Sequence, residues 1–284
     1  MQKVFKDKVV VVTGASSGIG KAICFELAKM NPKLVIASRR KKLLDDLAEE
    51  LSPLEILTCP VDVTEDADVK RMIEQAVARF GHVDYLFNCA GIFIAGGFGG
   101  LSDEAIRAMM EVNYFGTVRC IRAVAPLMRQ RGSGHIVNLS SLGGKYPFPG
   151  SSGYSASKYA VAGLSNALRR ELMLDGIHLT AVYPSLVKSP MVNMHLDSLK
   201  QSFLNRYTGN YLPEQAARAI IRAVGRKKRE LVIPWILHPT VPLHALFPGL
   251  SEAVTNVIGG GWPRYDEPET GFKEPEKKII NISC

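Results

Sequence analysis

Cysteine is scarce in this chain: Cys24, Cys59, Cys89, Cys120 and Cys284 are the only five among 284 residues. The odd number and the lack of C-x-x-C spacing argue against a disulfide framework and a cysteine zinc site. Four of the five fall in apolar stretches, where reduced, buried thiols are expected. The six histidines have no ligand spacing, so no metal is expected, and His82, His135 and His178 stand at strand starts where surface roles suffice. Low-complexity tracts and internal repeats are missing, which excludes solenoids and propellers. No basic stretch is interleaved with aromatic residues in the manner of single-strand binders. The formal charge of +8 is spread over many helix faces, with compact clusters only at residues 39–42 and 226–229. Nucleic acid is therefore not an expected partner. The first eight residues carry no apolar secretory core, and the expected compartment is the reducing cytoplasm.

With 46% hydrophobic and 22% charged residues, the chain can bury one large core. Short apolar runs alternate with stretches of helical periodicity. The expected strands are Lys8–Thr13, Lys33–Ser38, Leu54–Val61, Val83–Asn88, Gly134–Ser141, Ile177–Tyr183 and Glu230–Pro234. Val9-Val10-Val11-Val12 is apolar on both faces, as in a central parallel strand covered by helices on each side. The alternation predicts a doubly wound α/β fold: one parallel sheet of seven strands in a single domain over residues 1–260. Residues 231–251 contain no Asp, Glu, Lys or Arg. Their prolines argue against a membrane-spanning helix. An apolar flap over a binding site or a subunit contact is expected across 231–258, with a surface-lying membrane contact as the alternative. Residues 261–284 read as a loosely ordered polar tail.

The first strand runs into Thr13-Gly14-Ala15-Ser16-Ser17-Gly18-Ile19-Gly20 and then a helix. Such a turn brings backbone N–H groups and a helix dipole close to a pyrophosphate. Together with Asn88-Cys89-Ala90-Gly91 after the fourth strand, it resembles the short-chain dehydrogenase/reductase pattern over roughly residues 7–225. The family's usual second Asn is replaced by Cys89. The resemblance implies a Rossmann domain that binds a nicotinamide dinucleotide through Gly14, Ser16, Ser17, Gly18, Ile19 and Gly20. It also implies that Asp62 and Val63 border the adenine, with Asn88, Ala90 and Gly91 nearby.

The second strand ends Ser38-Arg39-Arg40, with no carboxylate to hold ribose hydroxyls. Guanidinium matches phosphate geometry bidentately, so NADP(H) with its 2′-phosphate is expected over NAD. Tyr154-Ser155-Ala156-Ser157-Lys158 places a phenol and an ammonium four residues apart on one helix face. A nearby cation favours the phenolate and brings the proton within reach of acid–base work. A serine at the carboxyl edge of the fifth strand can hydrogen-bond a substrate oxygen, and of Ser140 and Ser141 the resemblance, through the spacing to Tyr154, implies Ser141. Strand alternation should turn the adjacent Ser140 away. By the resemblance, Asn113 completes the catalytic set through a water-linked path to Lys158, and Pro184, Val187 and Ser189 lie beside the nicotinamide.

These residues together imply reversible hydride transfer between the nicotinamide and a carbonyl or alcohol carbon, with Tyr154 as proton donor. Apolar neighbours (Ile92, Phe93, Ile94, Leu142, Tyr146, Phe148) suit a lipid, steroid, terpenoid or aromatic ketone. Residues 186–212 are expected to form a substrate lid, and Gly96–Gly100 a flexible loop beside it. The resemblance further implies a homodimer or homotetramer through helices around 103–131 and 153–175. A membrane-surface lipid or steroid dehydrogenase, and a non-catalytic NADP-binding sensor or scaffold, are the competing readings.

Overall fold

A computed structural model describes residues 2–189, 191, 211–259 and 265–269. After a one-turn helix α1 (Gln2–Phe5), strands and helices alternate as β1 (Val9–Thr13), α2 (Gly18–Ala28), β2 (Lys33–Ser38), α3 (Lys41–Glu50), β3 (Ile56–Pro60), α4 (Asp66–Phe80) and β4 (Tyr85–Asn88). The second half adds α5 (Asp103–Met110), α6 (Gly116–Arg131), β5 (Gly134–Leu139), α7 (Ser152–Met173), β6 (Ile177–Pro184), α8 (Pro213–Gly225) and β7 (Glu230–Ile233). Two short helices, α9 (Thr240–Leu246) and α10 (Pro248–Gly259), follow. The strands form one seven-stranded sheet in the order β3-β2-β1-β4-β5-β6-β7, and every pairing is parallel.

The valine run of β1 builds both halves of the core. Val9 and Val11 pack with α4 and α6 on one face, against Met72, Ile73 and Val124. Val10 and Val12 pack with α2, α3 and α8 on the other, against Ile23, Leu44 and Ile220. Each such buried side chain contributes roughly 1.5–3 kcal/mol. His135 differs from its expected surface role. It is buried at 4% exposure, its Nε2 lies 2.8 Å from Thr180 Oγ1, and its ring stacks with Tyr85.

Strand order reverses between β1 and β4, because β2 lies on one side of β1 and β4 on the other. The connections leaving β1 and β4 therefore diverge and open a crevice at the carboxyl edge of the sheet, the usual ligand position in such folds. The glycine turn and Asn88–Gly91 both sit at this switch point. Thr13 ties them together: its Oγ1 accepts from the amides of Cys89 and Ala90 at 3.2 and 3.3 Å.

Residues 231–251 form the end of the sheet and a surface cap. Leu237 and Val241 pack on Leu142, Tyr146 and Phe148, so the cap is built on the loop after Ser141. Its outer side exposes Trp235, Ile236, Leu246, Phe247 and Leu250. The basic cluster at 226–229 precedes β7 and so lies at the opposite end of that strand from this surface. Among the described residues no helix is long and apolar enough to cross a membrane. Most of the expected lid, 190 and 192–210, lies outside the described residues.

Candidate active site

The glycine turn is shaped by close approach. Gly14 has φ +65°, and a Cβ there would stand 2.8 Å from the backbone nitrogen of Ala90. A Cβ on Gly20 would run into the carbonyl of Gly14. Only glycine lets β1, the turn and the β4 loop meet this closely. Beside the turn lies a cleft of ≈ 370 Å³, its open mouth included, lined by Gly14, Ser38, Arg39, Asp62, Val63 and Val112 among others.

The two arginines after β2 do different things. Arg39 reaches the Asp62 carboxylate at 3.6 Å, inside the cleft. Arg40 folds back over the glycine turn, where its Nη2 donates to Ser16 Oγ at 2.9 Å and Ser17 Oγ at 3.1 Å. Its Nε is buried with no hydrogen-bond partner. Burial and the adjacent Arg39 charge both hold the Arg40 guanidinium below its ordinary pKa. A cation in that condition is stabilised by an incoming anion. Arg40, Ser16, Ser17 and Ser38 are thus the residues that could hold a phosphate here.

Ser141, Tyr154 and Lys158 come together at the carboxyl edge of the sheet. β5 ends at Leu139, two residues earlier than its expected end, so the serines lie in the turn after the strand. Ser140 Oγ donates to the Lys158 carbonyl at 2.8 Å and is buried. Ser141 Oγ is 3.4 Å from the Pro184 carbonyl and accepts from the Gly143 amide at 3.1 Å. A Cβ placed on Gly143 would lie 3.5 Å from Ser141 Oγ and 3.8 Å from the Tyr154 ring, so both side chains border this glycine. Tyr154 and Lys158 occupy the first two turns of α7. Lys158 Nζ is 5.6 Å from the centroid of the Tyr154 ring and donates to the Leu139 carbonyl at 3.1 Å. The buried ammonium, 4% exposed, places a positive field on the phenol. Phe93 meets the Tyr154 ring edge-on, with centroids 4.8 Å apart.

Asn113 lies in a π-helical turn, Glu111–Phe115, between α5 and α6. Its carboxamide accepts from Ile92 N at 2.7 Å and donates to Ile92 O at 3.0 Å and Ser157 Oγ at 2.9 Å. Those bonds lock the β4 loop to the Tyr154 helix. Asn88 donates to Asn138 Oδ1 at 2.9 Å, and Asn138 in turn to Ser165 at 2.9 Å. Val187 is buried and bridges Tyr211, and Ser189 is buried as well. Ile19, in the first turn of α2, packs against the core. Thr13, Asn138 and Ser157 escaped the sequence reading. The signal for Asn138 was a polar residue inside an apolar strand; Ser157 had none beyond its neighbours.

A family model described as short chain dehydrogenase matches residues 8–199. The chain belongs to the short-chain dehydrogenase/reductase family and is an oxidoreductase of that type. An uncharacterised oxidoreductase of Staphylococcus saprophyticus is 35% identical over 238 residues, covering 83% of this chain and 97% of that protein. A short-chain dehydrogenase/reductase from Burkholderia phymatum in complex with NAD superposes with a TM-score of 0.80 at 26% identity, over 87% of this chain and 95% of that one. ElxO with NADP bound superposes with a TM-score of 0.72 at 27% identity, over 80% and 96% of the two chains.

Proposed function

We propose that this protein is an NADPH-dependent carbonyl reductase, reversible as an alcohol dehydrogenase, for an apolar small molecule. The placing of Ser141 and Tyr154 on either side of Gly143, with the Lys158 ammonium 5.6 Å from the Tyr154 ring, is the observation that carries the reading. The cofactor, when bound, supplies the hydride that a carbonyl carbon accepts. The chain's residues handle the oxygen. Ser141 Oγ donates a hydrogen bond to it as charge develops, and Tyr154 delivers the proton. Lys158 favours the phenolate that remains. Asn113 holds the β4 loop against α7. Its side chain is committed to Ile92 and Ser157, so its main-chain carbonyl, which already accepts from Thr117 Oγ1, is left to take the water of a proton path toward Lys158.

NADP(H) rather than NAD is favoured by Arg40, whose Nε lacks a partner while its Nη2 spans both turn serines. An apolar substrate is favoured by Phe93, whose ring meets Tyr154 edge-on. The reading includes self-association through α6 and α7, where Phe115, at the N-cap of α6, and Tyr159, in α7, are exposed at 44% and 42%. Oxidation of NADPH with a panel of aryl ketones and aldehydes tests it, with NADH and Tyr154→Phe as controls. Turnover that prefers NADPH and is abolished in Tyr154→Phe is expected; turnover retained in the variant would overturn the assignment. NADPH binding without turnover across the panel would favour the sensor reading.

A second reading, contact with a membrane surface, has its own support. Trp235, at 79% exposure, Ile236, Leu246, Phe247 and Leu250 form an uncharged outer face on the cap over the site. Helices lying in a bilayer interface present such a face. Co-flotation with phosphatidylcholine vesicles that is lost in Trp235→Ser/Phe247→Ser is expected. An unchanged distribution in the double variant would refute it.

A further inference from the structure

The chain's Gly96–Gly100 run was expected to be a flexible loop and the residues beyond 261 a loose tail. The structure joins them. The Gly97 amide donates to the Glu267 carbonyl at 3.0 Å and the Gly99 amide to the Tyr265 carbonyl at 2.7 Å. Glu269 Oε2 accepts from Ser102 N at 3.2 Å and from Ser102 Oγ at 3.3 Å. The Phe98 and Tyr265 rings stand 6.3 Å apart. The glycines now have a steric reason. A Cβ on Gly99 would lie 2.5 Å from the Tyr265 ring, and one on Gly96 would lie 2.9 Å from Glu269 Cα. On Gly100 it would strike the Glu267 carbonyl. These glycines clear a bed for residues 265–269.

The bed leads to the candidate site by two routes. Along the loop, the Gly96 amide donates to the Gly150 carbonyl at 3.1 Å, Phe93 lies against Tyr154, and Ile92 is held by Asn113. Through Ser102, the tail meets the cap of α5, since Ser102 Oγ accepts from the Ala105 amide at 3.2 Å. α5 in turn presses on α7 at Gly153, where a Cβ would stand 2.7 Å from Met109 Cε. Gly153 immediately precedes Tyr154. Both routes end at the phenol.

We propose that Tyr265–Glu269 is a C-terminal strap that completes the substrate site. It fixes the 93–101 loop as a wall facing Tyr154 and thereby decides which carbonyl compounds reach that residue. The strap's residues act by position, through the backbone bonds to Gly97 and Gly99 and the Glu269 carboxylate on Ser102. The inference rests on the reductase reading for its substrate, but not for the strap itself.

A chain ending at Gly260 and full-length Tyr265→Ala/Glu269→Gln test the inference together. Amide hydrogen exchange at Gly97 and Gly99 reads the strap directly. Loss of the two backbone bonds should speed exchange there by about tenfold or more, the factor that corresponds to roughly 1.4 kcal/mol. The NADPH Kd should stay unchanged, which reports an intact fold. For the bulkier members of a series running from acetophenone to benzophenone, KM should rise about fivefold, with a smaller effect on kcat. Should the shortened chain lose NADPH binding, the double variant carries the comparison. Unchanged exchange at 97 and 99 would overturn the strap. Faster exchange with the same KM values and the same size ranking would overturn its role in the substrate site. Absence of turnover in the full chain would refute the reductase reading and the substrate role with it, and exchange would still decide the strap.

Discussion

Replacing Arg40 with Ala gives the sharpest test of cofactor choice. Its Nη2 bonds Ser16 and Ser17, and its Nε is buried with no hydrogen-bond partner. A 2′-phosphate would satisfy that group and offset two adjacent positive charges. A charge-assisted hydrogen bond contributes a net of roughly 1.5–3 kcal/mol. Arg40 is only half-buried and gives up some of its serine bonding when it turns to a ligand, so the lower part of that range applies. A loss of about 2 kcal/mol corresponds to about a 30-fold rise in the NADPH Kd. NADH lacks the phosphate and should bind as before. Arg40→Lys should recover only part of the loss, because an ammonium keeps the charge without the planar fork. Arg39→Ala should cost less, since Arg39 is already engaged by Asp62 at 3.6 Å. Fluorescence titration of both reduced cofactors, at low and high salt, measures all of this. If Arg40→Ala weakens NADPH and NADH equally, the guanidinium serves the turn and not a 2′-phosphate. If neither changes, Arg40 is no ligand at all.

Tyr154→Phe should lower kcat by at least about a hundredfold, the low end of what a positioned general acid contributes, while the NADPH Kd stays constant. Gly14→Ala forces a side chain into a φ of +65° and to within 2.8 Å of Ala90 N. A cost of about 1–3 kcal/mol should appear as a Tm several degrees lower and weaker cofactor binding; an unchanged Tm would contradict the close approach. His135 is pushed down to about 3, mainly by burial, with His178 and Lys227 adding to the effect. The unfolded histidine, titrating near 6.5, takes up a proton that the folded one refuses. Stability is therefore complete above pH 6.5 and falls with pH toward 3, by about 1.4 kcal/mol per unit. Denaturant titrations of wild type and His135→Asn from pH 7 to 4.5 should show a shallower decline in the variant. Parallel curves would place the acid sensitivity elsewhere, for instance at Asp84.

The strand–helix alternation, the valine run of β1 and the Gly14–Gly20 turn were legible in sequence because each follows from local periodicity or backbone sterics. Tyr154 and Lys158 were legible for the same reason, since residues four apart in a helix share a face. What the linear order could not carry was contact between distant segments. Arg40 rather than Arg39 lies on the turn serines because β2 runs beside β1, which decides where each guanidinium can reach. Asn113 was picked out in sequence only through the family resemblance; the π-turn and the approach of Ile92 and Ser157 show what its carboxamide holds. His135 read as a surface residue, yet its β5 position is covered by Thr180 of β6 and Tyr85 of β4. The Gly96–Gly100 run is the clearest case. In sequence those glycines mean freedom, because nothing local constrains them. In the folded chain they mean the reverse, because a segment about 170 residues further on occupies the space their missing side chains leave. Composition and periodicity determine which elements form, but whether a small residue is a hinge or a socket depends on what packs against it, and that is a property of the tertiary structure alone.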